Sequence, residues 1–170
     1  MSSKLKPRCT NSGEIERGGY SKCHKKCDLC QNFSQETNTI RSQVTGRLYN
    51  IKQNLTCTSS NVIYLVTCLK CKLQYVGSTS TPFKVRFRNH KSSMVTNKKT
   101  CEVAVHFGRT PHELSDFEFT PFEKIIDAQN TERKLLTREV YWTAQLRTLQ
   151  PYGLNKRQEL HSMKRISYTS

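Results

Sequence analysis

Two short apolar runs, at residues 62–66 and 73–77, form the most informative hydrophobic pattern of the chain. The first run is continuously apolar and rich in β-branched residues, which predicts a strand that is buried on both faces. The second run ends at a glycine, and the short turn between the two runs predicts an antiparallel hairpin. Residues 117–126 predict a third strand, in which Pro121 favours a position at a sheet edge or a bulge.

Three segments predict helices. Residues 81–95 open with a threonine and a proline, which are favoured at the N-cap and at the first helical position. The apolar stripe of this helix carries His90 among its phenylalanines. Residues 101–107 predict a short second helix, and residues 131–149 predict a long third helix.

Glu139 lies on the apolar face of the third predicted helix, between Leu135 and Trp142. A carboxylate that is buried without a partner costs several kcal/mol, so this position requires a cation, a metal ion or an open cleft. Two interpretations are open, namely a buried ion pair with an arginine such as Arg86, or a role in metal binding or catalysis. We favour the second interpretation.

Together these elements predict an α+β domain over residues 58–156, with a small central three-stranded antiparallel sheet flanked by helices. Residues 1–20 are polar and predict a flexible lead-in, and residues 157–170 predict a basic tail. Residues 21–57 form a cysteine-rich extension, in which Gly46 marks the turn of a weak strand–turn–strand pattern. This extension has too little apolar surface to fold alone, so we expect bound metal to stabilise it.

The cysteines of the extension are spaced as metal ligands. Cys23, Cys27 and Cys30 lie close together and need a fourth ligand to complete a tetrahedral zinc site. His24 and Cys57 are the two candidates for that fourth ligand. We favour Cys57, because His24 adjoins Cys23 and two adjacent residues would not readily point at one metal ion.

A second tight pair, Cys68 and Cys71, lies in the turn between the two apolar runs. His106 and His112 follow after about 35 residues, on the end of the short predicted helix and in the loop behind it. These four residues predict a second zinc site of the Cys₂His₂ type, with Cys101 as the alternative ligand. We therefore expect about two structural zinc ions in the chain.

The composition of the chain predicts its binding partner and its cellular compartment. The 170 residues carry a formal net charge of +15, which predicts DNA or RNA as the partner rather than a generic basic surface. The first residues have no apolar signal-peptide core, so we favour zinc ligation over a secreted disulfide framework for the eight cysteines. No apolar run is long enough to span a membrane, and we expect an intracellular protein.

The two apolar runs and several residues behind them resemble the GIY-YIG nuclease superfamily. The motifs that carry the resemblance over residues 57–156 are Val62-Ile63-Tyr64, Tyr75-Val76-Gly77, Arg86, His90, Glu139 and Gly153-Leu154-Asn155. Their order makes the resemblance specific, and Val62 is the departure, because the family name has glycine there. The inserted cysteine pair and the histidines downstream look like the branch at the C-terminus of Penelope-like retroelement polyproteins.

The resemblance implies the GIY-YIG nuclease fold and a metal-dependent endonuclease that nicks target DNA for retroelement insertion in the nucleus. Glu139 would hold a catalytic magnesium or manganese ion that polarises the scissile phosphate. Tyr64, with Tyr75 beside it, would orient or deprotonate the attacking water.

The remaining site residues have supporting roles in the implied mechanism. Arg86 would supply positive charge to the phosphate, His90 would hydrogen-bond within the cluster and Asn155 would brace it. Basic residues would follow the DNA backbone, namely Lys84, Arg88, Lys91, Lys98 and Lys99.

Two further expectations concern partners and activity. RNA is a second expected partner, as part of a retroelement complex. The alternative function is a zinc-containing DNA- or RNA-binding protein that no longer cleaves. We favour the nuclease, because an inactive copy would be free to lose Tyr64, Arg86 or Glu139, and all three are present.

Overall fold

A computed structural model describes residues 18–109 and 111–156 of the protein. Residues 1–17 of the predicted lead-in, with Cys9, and the predicted tail at 157–170 lie outside these ranges. In chain order the elements are β1 (Gly19–Tyr20), β2 (Thr39–Arg41), β3 (Leu48–Asn50), β4 (Asn54–Leu55), β5 (Val62–Cys68), β6 (Gln74–Thr79), α1 (Phe83–Val95), α2 (Glu102–Arg109), β7 (Phe117–Lys124) and α3 (Thr131–Leu146).

The predicted three-stranded antiparallel sheet is confirmed, with the order β6-β5-β7. The central strand β5 is buried on both faces, since residues 62–66 are at most 5% exposed. Pro121 lies opposite Tyr64 on the edge strand β7, next to a shift in register. A proline that donates no hydrogen bond is tolerated at such an edge, which explains why the strand continues through it.

The three predicted helices are also present, with different ends. Pro82 occupies the N-cap of α1, whereas the predicted cap Thr81 instead bonds the Thr79 hydroxyl at 2.9 Å. Helix α3 ends at Leu146, earlier than predicted, because Arg147 adopts a left-handed conformation with φ of 54°. None of the helices in the described ranges is long and apolar enough to cross a membrane.

The cysteine-rich extension packs into the same core as the sheet and helices. Its predicted hairpin forms from β2 and β3, with Gly46 in the turn at a φ of 73°. The hairpin docks on the end of α3, where the Ser42 hydroxyl donates to the Leu146 carbonyl at 2.9 Å and the Tyr49 hydroxyl donates to the Gln145 carbonyl at 3.1 Å. These bonds satisfy carbonyls that have no partner within the helix.

Residues 18–20 differ from the flexible lead-in predicted for them. Strand β1 pairs in parallel with β4, and Tyr20 is only 1% exposed. The Tyr20 hydroxyl lies 2.9 Å from the Ser34 hydroxyl, so the buried ring has a polar partner. The sequence did not predict this strand for two reasons. The neighbouring residues are polar, and a strand of only two residues has no pattern of its own and depends on tertiary contacts.

Asn155 completes the open edge of β6 with its side chain. The Val76 amide donates to Asn155 Oδ1 at 2.9 Å, and Asn155 Nδ2 donates to the Val76 carbonyl at 2.8 Å. The Thr148 hydroxyl donates to the same Oδ1 at 2.7 Å. The buried side chain thus replaces a neighbouring strand for one residue of β6.

Asn155→Ala is expected to lower the free energy of unfolding by roughly 2–6 kcal/mol, because two buried backbone groups lose their partners at about 1–3 kcal/mol each. Urea denaturation measures this change. Asn54→Ala removes an exposed asparagine side chain from the extension and is the control, with an expected change within about 0.5 kcal/mol. Equal midpoints for the two variants would contradict the role of Asn155 at this edge.

Candidate active site and metal centres

The hydroxyl of Tyr64 lies at the centre of a hydrogen-bonded cluster between β5 and α1. Arg86 and His90 are one turn apart on α1, so both side chains reach this strand. Arg86 Nε donates to the Tyr64 hydroxyl at 2.9 Å, and His90 Nε2 lies 2.8 Å from the same oxygen. Tyr64 and His90 are almost fully buried. The structure therefore brings together three of the residues predicted for catalysis.

The hydrogen-bonding partners of each group in this cluster indicate where its protons lie. Burial, with the Arg86 charge nearby, lowers the pKa of His90 to about 3, so its imidazole is neutral. Burial raises the pKa of Tyr64 well above its usual range, and the Arg86 charge opposes that shift only in part. Arg86 donates to the Tyr64 oxygen, which leaves the Tyr64 proton free to be donated. His90 Nε2 accepts that proton when the neutral imidazole carries its own proton on Nδ1.

Gly77 makes room for both motif tyrosines. It pairs with Tyr64 across the sheet, and a Cβ at this position would collide with the Tyr64 hydroxyl and lie 2.8 Å from Cε1 of Tyr75. The ring of Tyr75 meets His90 edge-on, with 6.0 Å between the ring centroids. The second motif therefore needs glycine because two aromatic rings converge on one point of β6.

Glu139 projects from the buried face of α3, as predicted, and is 8% exposed. Ser78 Oγ donates to Glu139 Oε2 at 2.5 Å and fixes the carboxylate. The negative charge of Glu139 contributes to the raised pKa of Tyr64, so the two groups interact. A carboxylate with a neighbouring hydroxyl provides hard oxygen ligands, and Mg²⁺ keeps most of its waters when it binds such a group. The donor set therefore fits a magnesium ion.

A cavity of about 230 Å³ lies beside the cluster. Tyr75, Arg86 and His90 form one wall, and Cys101 and Lys98 belong to its lining. Asn155, predicted to brace the site, supports β6 from the sheet edge and bonds Val76 rather than the Tyr64 cluster.

The residues predicted to follow DNA occupy different surfaces. Lys98 lines the cavity at the cluster, and Lys99 is exposed nearby. Lys84 and Arg88 line a separate cavity beside the first cysteine group. These four residues remain predicted DNA contacts.

Lys91 has a partner within the protein. Its Nζ lies 2.6 Å from Asp28 Oδ2 and above the ring of Phe33, 5.5 Å from the ring centroid. The pair joins the extension to α1, and Lys91 pulls the pKa of the Asp28 carboxyl below its usual range. A DNA contact therefore suits Lys91 less well than the other four basic residues.

The first candidate metal centre consists of Cys23, Cys27, Cys30 and Cys57, whose sulfurs all lie within 4.8 Å of one another. Cys57, which we favoured from the sequence, thus completes the group, and His24 is exposed. Burial raises the pKa of the Cys30 and Cys57 thiols, so a divalent cation is the counter-charge that thiolates would need here. The donor set fits structural zinc.

The second candidate metal centre lies between the hairpin turn and α2. The four predicted ligand atoms lie within 4.8 Å of one another, and they come from Cys68, Cys71, His106 and His112. Cys71 Sγ is 3.2 Å from His106 Nε2, and Cys68 Sγ is 3.9 Å from His112 Nδ1. These separations are close to the edges of a tetrahedron around zinc, roughly 3.3–3.8 Å. Burial, with His112 nearby, lowers the pKa of His106 and favours the neutral ligand form.

Two contacts of the site were not foreseen. Ser78 was not singled out, and its position directly behind the second tyrosine motif is the only signal that the sequence offers. Cys101, considered as a spare zinc ligand, lies instead 3.6 Å from His90 Nδ1 through its sulfur. The seven cysteines of the described ranges form no disulfide with one another, and six of them belong to the two candidate metal-ligand groups.

Comparison with known proteins gives a family match and two distant structural likenesses. The family described as the GIY-YIG catalytic domain matches residues 60–153, which is more than half of the chain. The catalytic domain of the homing endonuclease I-TevI is 20% identical, with a TM-score of 0.45, over 55% of this chain and 95% of that one. A mutant of that domain has the same identity and TM-score and is covered over 89% of its length. No curated protein matches the chain.

Protein purified under reducing conditions is expected to contain about two zinc ions per chain, one for each ligand set. Cys57→Ser removes a ligand of the first centre and is expected to lower the content to about one. Cys101→Ser changes a thiol outside both sets and is the control, with about two ions retained. Elemental analysis measures the content, and zinc-free wild-type protein would refute both centres.

Proposed function

The chain belongs to the GIY-YIG catalytic domain family, and on that premise we propose that it is a divalent-metal-dependent endonuclease that hydrolyses phosphodiester bonds in DNA. The observation that carries the proposal is the Tyr64 hydroxyl, held between Arg86 and His90 at 2.9 and 2.8 Å. A buried tyrosine with one cationic donor and one neutral acceptor is equipped to pass on a proton.

Tyr64 activates the attacking water by relay rather than as a resting phenolate. Burial keeps its hydroxyl protonated, since its pKa is raised. When the water attacks, its proton passes to the Tyr64 oxygen, and the Tyr64 proton passes to His90 Nε2. The Tyr64 oxygen thus accepts one proton as it gives up another and never carries a full negative charge. The negative charge that builds on the phosphate must offset the burial and the Arg86 charge that lower the pKa of His90 at rest.

Arg86 provides the positive charge of the site. One guanidinium N–H holds the Tyr64 oxygen, and four further N–H groups remain on a planar fork that suits phosphate oxygens. The charge on the phosphate rises as the water attacks, so a fixed guanidinium stabilises the transition state more than the ground state.

Glu139 would hold the catalytic metal, with Ser78 fixing its carboxylate. When bound, the divalent ion polarises the phosphate and stabilises the leaving oxygen. Burial of Glu139 excludes bulk water from the carboxylate and strengthens its electrostatic interactions.

The finer proposal is a nicking enzyme of a Penelope-like retroelement that acts on target DNA in the nucleus. Support comes from Cys68 and Cys71, inserted between the two tyrosine motifs, and from their proximity to His106 and His112. Zinc bound by these four residues would hold the turn between β5 and β6, the strands that carry Tyr64 and Tyr75. Association with RNA in a retroelement complex belongs to the same proposal.

Glu139→Ala is expected to lower the rate of plasmid nicking in Mg²⁺ by at least about a hundredfold, because the metal loses its protein ligand. Conversion of supercoiled to open-circular plasmid measures the rate. Glu132→Ala removes an exposed carboxylate from the same helix and is the control, with a rate near that of wild type.

Circular dichroism checks that both variants are folded. Wild-type protein that leaves supercoiled plasmid intact with Mg²⁺ and Mn²⁺, over a range of salt, would overturn the endonuclease assignment.

A further inference from the structure

A cavity of about 720 Å³ lies between the first cysteine group and α1. Positive side chains from two distant parts of the chain meet there. Its basic lining consists of Lys22, Lys25, Lys26, Lys84 and Arg88. We name this feature the cysteine-loop groove. Three of these cations lie in the loop that carries the candidate zinc ligands. None of the three has a role in the proposed catalytic steps.

The cations outnumber the negative charges around them. A zinc ion with four thiolates carries a net charge of −2. Asp28, the acidic residue of the lining, is already paired with Lys91. The five positive side chains exceed the charge of a zinc–thiolate centre by about three. Neutralising that centre therefore does not account for all of them.

Helix α1 separates the groove from the active site. Lys84 and Arg88 each lie two residues from Arg86, so they project about 200° around the helix from it, on the opposite flank. The Lys84 amide donates to the Cys57 carbonyl at 2.8 Å. The backbone of the first cysteine group therefore fixes the position of the groove relative to Arg86.

We infer that the cysteine-loop groove binds the phosphate backbone of the DNA duplex that is being cut, across α1 from the scissile phosphate. The inference rests on the proposed function and adds a second anchoring point to it. A helix is about 10 Å wide with its side chains, a distance that two backbone segments of one duplex span across a groove.

Lys25→Ala/Lys26→Ala is expected to weaken binding of a fluorescent 30-base-pair duplex roughly tenfold or more at 0.1 M salt. The slope of log Kd against log salt falls by about 0.9 for each phosphate that the variant no longer neutralises. Fluorescence anisotropy without added Mg²⁺ or Mn²⁺ measures both quantities. Lys84→Ala/Arg88→Ala, on the other wall, is expected to act alike.

Lys52→Ala/Lys124→Ala removes the same charge from exposed positions outside the groove and is the control. Zinc content is measured for every variant. Groove variants that keep their zinc and bind like the control overturn the inference, as does tighter binding of an RNA duplex of the same sequence. Groove-dependent DNA binding by wild-type protein that does not nick supports the groove and refutes the proposed function.

A second, independent observation concerns Cys101. Its sulfur lies 3.6 Å from His90 Nδ1, on the side of the ring that faces away from Tyr64. Its backbone is fixed, because its amide donates to the Lys98 carbonyl at 3.2 Å and its carbonyl accepts from Val105 at 2.8 Å. The thiol is half-buried in the wall of the active-site cavity.

We propose that Cys101 is a positioning residue that selects the tautomer of His90. A neutral histidine carries its proton on either nitrogen, and the bond made by one nitrogen decides the state of the other. The Cys101 sulfur accepts from Nδ1–H, so Nε2 keeps a lone pair for the Tyr64 proton. With this acceptor removed, the tautomer with its proton on Nε2 competes, and that form cannot accept from Tyr64.

Cys101→Ala is expected to lower the nicking rate about tenfold, whereas Cys101→Ser, which keeps an acceptor, stays within about twofold of wild type. Long-range ¹H–¹⁵N NMR of the imidazole reports the tautomer. The signals of His90 are expected to show mixed tautomers in the alanine variant and the Nδ1–H form in the serine variant.

An alanine variant that keeps the wild-type tautomer overturns the role of Cys101. A serine variant as slow as the alanine variant does the same, because it points to packing of the sulfur alone. The NMR measurement stands whether or not the wild-type protein nicks DNA, so it separates this proposal from the proposed function.

Discussion

Tyr64 places a phenolic hydroxyl inside the protein, and a buried hydroxyl that loses its partners costs about 1–3 kcal/mol. Both partners of this hydroxyl come from α1, so the helix must start at the right place above β5. The amide of Phe83 donates to the Ser59 carbonyl at 2.9 Å, and the amide of Lys84 donates to the Cys57 carbonyl at 2.8 Å. The first cysteine group thereby helps to fix the position of α1, which carries Arg86 and His90, relative to β5.

The extension is therefore a structural part of the catalytic unit. Phe33 packs against Phe87 of α1 with ring centroids 5.0 Å apart, and Gln74 of β6 binds the Arg41 carbonyl with its side-chain amide at 2.9 Å. The Gln43 amide donates to the side-chain oxygen of the same glutamine at 3.0 Å. Such contacts tie the extension to both flanks of the central strand.

Much of this arrangement follows from the sequence, because long periodic segments and ligand spacing are strong signals. The buried strand β5, the edge proline Pro121 and the carboxylate at Glu139 were all predicted from patterning, and Cys57 was favoured by elimination. The remaining features depend on contacts between residues far apart in the chain, which no local pattern encodes. Strand β1, the pairing of Lys91 with Asp28 and the bonds from Ser42 and Tyr49 to the last carbonyls of α3 are of this kind.

The two glycine positions in the family's name differ in how strictly this structure requires glycine. Val62 occupies the first position and is fully buried in β5, opposite Thr79 and Lys124, where its side chain fills the core. Gly77 occupies the second position, where any side chain would strike the Tyr64 hydroxyl. A pattern search for relatives that demands the first glycine would miss chains built like this one. The second glycine is the residue on which such a search should insist.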